Sequence, residues 1–581
     1  MRGTLRDFFT LIVDGMKPKE FSGGKEKWLV KGRTTPIEGF MGYKREDAEK
    51  YSNLGCWLGI PLGDIVDRAA ELSPDKEALV EDSSRLTFSH LREKVDRLAI
   101  GLIKLGIKKG DHVLVQLPNW SEFVYSVFAL QKIGAIAILL LPRHMQIEIN
   151  HFCNLTRAKA WIVPEKHRGI DYLPIIDDVR KANPHLEHII LVRPEKNSQF
   201  ISLEKLIQDA DVNQDNIREL SKRRPDPIGV AIILSTGGTT GLPKAVPRTH
   251  NDLVCEANYK ARAREQSSHD ICLITIPLEH NLGFASMNST IFSFGKIVLL
   301  DSTKSEDFCA VVQREKVTRA PMVSALVMRI INFDGLKSYD LSSLRALYVG
   351  GAKTPPQVIR AIHEKIGHVY ITAFGMSEGP TCTTRLDDAP DIIFNSIGRP
   401  CCPYDEFKVV SQDGRELPPN TEGELAAKGP GVFAGYLKLP EENKKAFTKD
   451  GFFRTGDLAI IDAAGYIKIT GRIKDIIIRG GENISPSEIE ELIITHPSVE
   501  DVSVIGMPDK ELGERVCAYI KPVSEVKLSL EDIVSFLKNK GASVLQLPER
   551  IELVDSIPMT KAGKADKKAL REDVKRRLGI I

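Results

Sequence analysis

Short apolar runs rich in Val and Ile recur along the chain and restrict its fold more than any other feature. They lie at 113–117, 135–141, 189–192, 230–234, 297–300, 346–349 and 369–373. Each is too short for a helix and lacks polar alternation, the pattern of a strand covered on both faces. Segments of helical length separate most of them, so the reading is an α/β fold. One such segment shows the helical period directly. Leu91, Val95, Leu98, Leu102 and Leu105 step by four and three along one face, and Gly106 follows as a stop signal. Pro118 closes the run that comes next. No repeat of solenoid length occurs.

The pattern changes after Gly471, where a polar stretch, Arg472-Ile473-Lys474-Asp475, precedes a smaller unit. In that unit Ser485-Pro486-Ser487-Glu488 reads as a capping box with proline at the first helical position, turning Ile489, Leu492 and Ile493 inward. Ser529 starts a second helix, with Leu530, Ile533, Val534 and Leu537 on one face. Three parts are expected: an extension over 1–35 without a motif, a large domain over 36–473, and a small one over 474–581. With 581 residues, more than one domain fits the length.

Composition narrows the function classes. Hydrophobic residues at 42% and charged residues at 27% are those of a globular protein with large cores. A net charge of +2 gives no bulk field for nucleic acid or a membrane. The nine Cys are widely spaced without a CxxC pair, which argues against structural zinc and for free thiols in a reducing compartment. The adjacent Cys401 and Cys402 read as packing residues. The apolar stretch 8–13 is broken by Asp14 before any cleavage site, and the run 135–141 falls far short of the roughly 20 residues a membrane span takes. A cytoplasmic enzyme, monomer or homodimer, without membrane or nucleic-acid partners, is expected.

The densest signal is Ser235-Thr236-Gly237-Gly238-Thr239-Thr240-Gly241-Leu242-Pro243-Lys244, directly after the run 230–234. Three glycines permit close backbone approach and expose N–H groups to an anion, and four hydroxyls and a lysine add donors. This is phosphate-binding chemistry. It is not a Walker A loop, because no Gly stands four residues before a Gly-Lys pair followed by Ser or Thr. No G-x-G-x-x-G follows the first strand, which disfavours a dinucleotide oxidoreductase.

The loop resembles the signature of the adenylate-forming superfamily of acyl- and aryl-CoA synthetases, luciferases and peptide-synthetase adenylation domains. Further matches follow in order: Phe374-Gly375-Met376-Ser377-Glu378-Gly379, Tyr436 in Gly-Tyr-Leu, Thr455-Gly456-Asp457, Gly471 to Asp475 with Gly480-Gly481-Glu482-Asn483-Ile484, and Pro558-x-Thr560-x-x-Gly563-Lys564. The likeness covers roughly 40–575. It implies a large adenylation domain with α/β subdomains and a small mobile α+β domain. It also implies an ATP-dependent reaction. A carboxylate attacks the α-phosphorus, pyrophosphate leaves, and a thiol then displaces AMP from the acyl-AMP.

Residue roles follow from the resemblance. Ser235 to Gly241, with Thr236, Thr239, Thr240 and Lys244 foremost, would hold the phosphates, and Glu378 would help bind Mg²⁺. Asp457 would accept the ribose hydroxyls, and Arg472 would touch ribose or phosphate. Phe374 would pack on adenine, with Gly350-Gly351-Ala352 beneath it and Gly375, Met376 and Ser377 alongside. Lys564 would bridge the acyl carboxylate and the α-phosphate. Lys474 would be the hinge for domain rotation, and Gly480 and Gly481 would line a tunnel for the thiol.

Within the superfamily, Pro277-Leu278-Glu279-His280-Asn281-Leu282-Gly283-Phe284-Ala285-Ser286 is similar to the acid-binding stretch of 2,3-dihydroxybenzoate–AMP ligases, the siderophore aryl-acid activators. Gly55-Cys56-Trp57, Pro247-Arg248-Thr249-His250 and Arg385-Leu386-Asp387-Asp388 agree with that subfamily. His280, Asn281, Ser286, Val349 and Ala373 would line the acid, with His280 at the reacting end and Asn281 bonding a 2-hydroxyl. Leu282 stands where a Tyr is usual and Ala373 where a Val is common, which leaves room for other aryl or alicyclic acids. The acceptor would be coenzyme A or the phosphopantetheine of a separate aryl carrier protein. Two alternatives remain: a degradative aryl-, alicyclic- or acyl-CoA ligase, and a non-catalytic nucleotide sensor, which the presence of Glu378 and Lys564 disfavours.

Overall fold

The computed structural model describes residues 37–195, 199–236, 242–480, 482–523, 528–560 and 564–580. The expected extension over 1–35 lies outside the described residues. Every apolar run named above forms a strand: His112–Val115, Ile136–Leu139, His188–Val192, Val230–Ser235, Lys296–Leu299, Ala346–Gly350 and Tyr370–Gly375. The leucine-rich segment is the helix Phe88–Lys104, and Gly106 takes a φ of +95° just beyond it.

These strands fall into two sheets of nine and seven strands. Neighbours in the middle of each run parallel, as in Ala346–Gly350 against Tyr370–Gly375 and His112–Val115 against Ile136–Leu139. The largest apolar cluster draws on both sheets, through Cys272 and Ile297 of one and Val113 and Ile232 of the other. The helices Phe88–Lys104, Ser121–Ile133, His250–Ala263 and Asn281–Phe292 also contribute to that cluster. A helix-covered parallel sheet carries its binding groups at the carboxyl ends of its strands. Ser235, Gly350 and Gly375 each end a strand.

A four-stranded antiparallel sheet, Glu406–Val410, Gly423–Lys428, Phe453–Ile461 and Ile467–Arg472, follows. A separate five-stranded sheet begins at Ile477–Arg479 and carries the helices Pro486–Ile493, Leu530–Asn539 and Lys567–Arg577. Ser529 caps its helix as expected, in a box with Asp532. Ser485 does not cap. Its hydroxyl donates to the carbonyl of Thr470 at 2.8 Å, which ties the small unit to strand Ile467–Arg472. Lys353 also pairs with Glu491 across the two units.

Candidate active site

The glycine-rich loop leaves strand Val230–Ser235, and the Thr236 amide donates to the carbonyl of Lys244 at 3.1 Å, so its two ends meet. Gly237, Gly238, Thr239, Thr240 and Gly241 lie outside the described residues. Lys244 Nζ lies 2.7 Å from Glu442 Oε2 and 4.7 Å from the centre of the Tyr436 ring. The Tyr436 hydroxyl donates to Glu378 Oε1 at 2.7 Å. Burial holds the Glu378 carboxyl above the ordinary range, against the Tyr436 bond and the guanidinium groups of Arg472 and Arg248.

The segment around Glu378 is pinned to the loop. Ser377 Oγ donates to the Ser235 carbonyl at 3.4 Å, and the Ser377 carbonyl accepts from Arg248 at 3.0 Å. Gly379 has a φ of +104°, and a Cβ there would stand 2.0 Å from the Gly431 carbonyl, so no side chain fits. No cluster of three or more His, Cys, Asp or Glu among the described residues could hold a metal alone. Glu378 offers a hard carboxylate oxygen. That fits Mg²⁺, which commonly takes one or two carboxylates and completes its shell with substrate phosphates and water.

Asp457 and Arg472 face each other in register on adjacent antiparallel strands, and Arg472 Nε lies 2.6 Å from Asp457 Oδ1. Asp457 is 2% exposed and its Oδ2 has no partner. A buried acceptor without a donor is suited to a diol hydroxyl. Burial raises this carboxyl above its ordinary value, with Arg472 opposing. Phe374 is half-buried against the cluster of Cys382, Leu425, Ala459 and Ile467. Gly350 passes so close to its neighbour that a Cβ would meet the Ala373 carbonyl at 2.4 Å. Ala352 is exposed, and its carbonyl accepts from Ser324 Oγ at 3.5 Å.

Lys564 reaches this cleft from the small unit, on a turn in which Thr560 N donates to the Lys564 carbonyl at 2.7 Å. Crowding by protein atoms lowers its ammonium pKa first, then the Arg472 guanidinium; Asp457 and Glu378 pull the other way. His280 feels the same ammonium. Desolvation, then Lys564, His144 and Arg143, bring its imidazole down to about 4, so it is neutral at physiological pH. Lys474 lies in the short turn Ile473–Asp475 between the two units. Gly480 sits at a hairpin turn of the small unit, its amide on the Leu512 carbonyl at 2.7 Å. Gly481 lies outside the described residues.

The residues expected to line the acid stand largely on helix Asn281–Phe292, which His280 precedes. Asn281 Nδ2 donates to Glu256 Oε1 at 3.1 Å and to the Met376 carbonyl at 3.0 Å, leaving Oδ1 buried without a partner. Leu282 packs on Ala346, Tyr348, Ile371 and Ala373, and Ser286 Oγ lies 3.4 Å from Arg264 Nη1. Val349 does not line this wall, contrary to expectation. It alternates with Tyr348 along the strand and packs into the opposite core with Met322, Val327 and Ile359.

Sequence reasoning missed the charged row behind the acid wall. Fully buried Arg248 donates to Asp252 Oδ1 at 2.9 Å and Glu256 Oε2 at 3.1 Å, and Lys260 Nζ lies 2.6 Å from Glu256 Oε1. Arg264 follows four residues on, just past helix His250–Ala263. The signal was available: charges at 248, 252, 256, 260 and 264 step by four through a helix whose residues 250–261 are all buried.

Comparison with known proteins agrees with this architecture. The AMP-binding enzyme family matches residues 66–437, and the AMP-binding enzyme C-terminal domain matches 488–564. A 2,3-dihydroxybenzoate-AMP ligase of Bacillus subtilis is 36% identical over 93% of this chain and 99% of its own. A salicyl-AMP ligase / salicyl-S-ArCP synthetase of Mycobacterium tuberculosis is 33% identical over 94% and 95%. The apo structure of Mycobacterium smegmatis MbtA superimposes with a TM-score of 0.69 at 33% identity, covering 92% of this chain and 98% of that one. No helix among the described residues is long and apolar enough to cross a membrane.

Proposed function

The chain belongs to the AMP-binding enzyme family, and from that premise we propose that it activates an aryl carboxylic acid with ATP and passes the acyl group to a phosphopantetheine thiol. The observation that carries this reading is the convergence of Lys564, Asp457, Arg472, Glu378 and His280 on one cleft, from both units of the chain.

The acid carboxylate attacks the α-phosphorus of ATP, the bond to the bridging oxygen breaks, and pyrophosphate leaves with its electron pair. Two anions must meet for this step, so the work of the protein is positioning and charge compensation. Lys564 places an ammonium between the carboxylate and the α-phosphate. Neutral His280 stands beside the reacting end without adding a charge that would compete for the carboxylate. Asp457 Oδ2 accepts a ribose hydroxyl while Arg472 holds Oδ1 in place. Lys244 exchanges Glu442 for the outer phosphates, with the glycine-rich loop. Glu378 would hold Mg²⁺, which would supply further neutralisation of phosphate charge.

At the acid end Asn281 Oδ1 accepts a 2-hydroxyl proton, as suits an acid of the 2,3-dihydroxybenzoate or salicylate kind. In the second step a thiolate attacks the acyl carbon and AMP departs. Lys474, at the junction of the two units, is the pivot that takes Lys564 away and brings Gly480 and Gly481 to the thiol path. The acceptor is a separate aryl carrier protein.

Acid-dependent ATP–pyrophosphate exchange tests the first step, with 2,3-dihydroxybenzoate, salicylate, benzoate and cyclohexanecarboxylate compared. Fastest exchange with the 2-hydroxylated rings supports the Asn281 role. Fastest exchange with benzoate or the alicyclic acid, together with acyl transfer to free coenzyme A, instead makes the protein a degradative CoA ligase.

A further inference from the structure

The row of charges behind the acid wall does not balance. Arg248 and Lys260 are matched by Asp252 and Glu256, through the bonds given above. Arg264, next in the row, forms no ion pair with any described carboxylate. It is 5% exposed, and its Nε is buried without a hydrogen-bond partner. Its neighbours are Ser286 Oγ at 3.4 Å and the face of the Tyr348 ring, whose centre is 3.9 Å from the guanidinium carbon. The nearby acid Asp270 is engaged by Arg319 at 2.7 Å, and Arg319 also bonds the Arg264 carbonyl at 2.8 Å. Three cations, Arg248, Lys260 and Arg264, thus stand against two carboxylates, Asp252 and Glu256, so the row carries excess positive charge.

An unpaired buried guanidinium is costly, and an aromatic face and a distant hydroxyl compensate it only in part. Its place is informative. Leu282 and Ser286 are one turn apart on the helix that Asn281 begins, and Leu282 packs on the same strand residue, Tyr348, that Arg264 covers. From Asn281 to Ser286 the helix rises about 7.5 Å, on the order of one substituted six-membered ring. Arg264 therefore stands at the Ser286 end of this stretch, away from His280, which precedes Asn281 at its other end.

We propose that the acid activated here carries a second anionic group, a carboxylate, on the side of its ring away from the reacting carboxyl, and that Arg264 reads it. The guanidinium fork takes a carboxylate through two parallel N–H bonds. Ser286 and Tyr348 hold the fork in position. This rests on the adenylation reading and adds a second carboxylate to the ring acid whose 2-hydroxyl Asn281 accepts.

The test compares benzoate, salicylate, and benzene-1,3- and 1,4-dicarboxylate, by exchange and by equilibrium binding to the intact protein. Wild type, Arg264→Met and Arg264→Lys are measured, with thermal unfolding to confirm folding. In wild type a dicarboxylate is expected to exceed benzoate in kcat/KM by about 100-fold, the scale of a buried charge pair. Arg264→Met should remove that preference, mainly through KM; Arg264→Lys should keep part of it. If Arg264→Met does not fold, the wild-type preference and Arg264→Lys decide the matter. Dicarboxylate binding that needs Arg264 but gives no exchange supports Arg264 and sinks the adenylation reading. Exchange with monocarboxylates, with no dicarboxylate preference, overturns this inference and leaves adenylation standing. Neither binding nor exchange with any acid overturns both.

Discussion

The two ends of the cleft hold their charges differently. At the nucleotide end they sit on separate elements: Lys244, Glu378 and Lys564 outside the strands, Arg472 at the end of one and Asp457 within another. Several keep access to solvent, and Lys244 rests on a surface carboxylate, Glu442, in a pair that is easily exchanged. At the acid end Arg248, Asp252, Glu256, Lys260 and Arg264 belong to one helix and its flanks and are buried, and the first four are bonded to one another. Polar networks of that kind are expensive to rearrange. In the proposed cycle the nucleotide end gives way as the small unit moves, whereas the buried network holds the acid end in place. Substitutions at the first should therefore slow every acid alike, and substitutions at the second should change which acid is used.

The largest effect is expected at Asp457. Asp457→Ala removes the ribose acceptor and leaves Arg472 without its carboxylate. It should lower kcat/KM for ATP by about 100- to 1,000-fold for every acid, through the cost of splitting a buried pair. An effect confined to one acid would break the distinction. Asn281→Leu is next. It should cost salicylate about 10- to 100-fold relative to benzoate, because a buried acceptor that reads a hydroxyl is gone. Equal losses for both acids would show that Asn281 only supports Glu256 and Met376.

Ala373→Val, which adds bulk beside Leu282, should shift discrimination between ring sizes by about tenfold, the scale of a methylene or two in an apolar pocket. Lys564 predicts a pH profile. Its ammonium is depressed below the ordinary lysine range, so the cation is lost as pH rises through that lowered value. The alkaline limb of kcat/KM should lie below that of a free lysine, and Lys564→Arg should carry it upward.

The smallest effect concerns stability. Glu279 is 2% exposed with both oxygens unpartnered, and burial, with Asp301 adding, holds its carboxyl well above the usual range. A raised folded pKa stabilises the fold below the unfolded value and loses that contribution as pH rises towards the folded one. Glu279→Gln should remove this loss and raise stability at pH 8 by about 1–2 kcal/mol. Denaturant unfolding at pH 5 and 8 checks it; equal stability of the two proteins at pH 8 would mean the carboxylate has found a partner.

The same contrast decides what could be read from sequence. A nucleotide presents the same phosphates and ribose to any such enzyme, and backbone must approach them closely. The groups proposed to meet it stand in short contiguous strings, 235–244, 374–379, 455–457 and 558–564, which a sequence displays as motifs. The strands were legible too, since a doubly covered strand is a plain apolar run. That same plainness hid which face each residue takes. Val349 and Tyr348 are both buried and apolar enough for either side, and only the structure turns Val349 into the far core. The charged row escaped because charges four residues apart usually mark a solvated helix face, and only burial of the whole helix reverses that reading. Ser485 looked like a cap, but its hydroxyl is spent on Thr470 across the hinge, a tertiary contact that no local pattern encodes.

Lys564 gives the most direct test of the central claim, that acid activation depends on a lysine delivered by the small unit to a preformed cleft. Acid-dependent ATP–pyrophosphate exchange by Lys564→Ala should fall by about 100- to 1,000-fold for all acids. Transfer from separately prepared acyl-AMP to a phosphopantetheine thiol by the same variant should stay within a few-fold of wild type. Exchange preserved in Lys564→Ala, or both steps lost together in a folded, ATP-binding variant, would contradict the account.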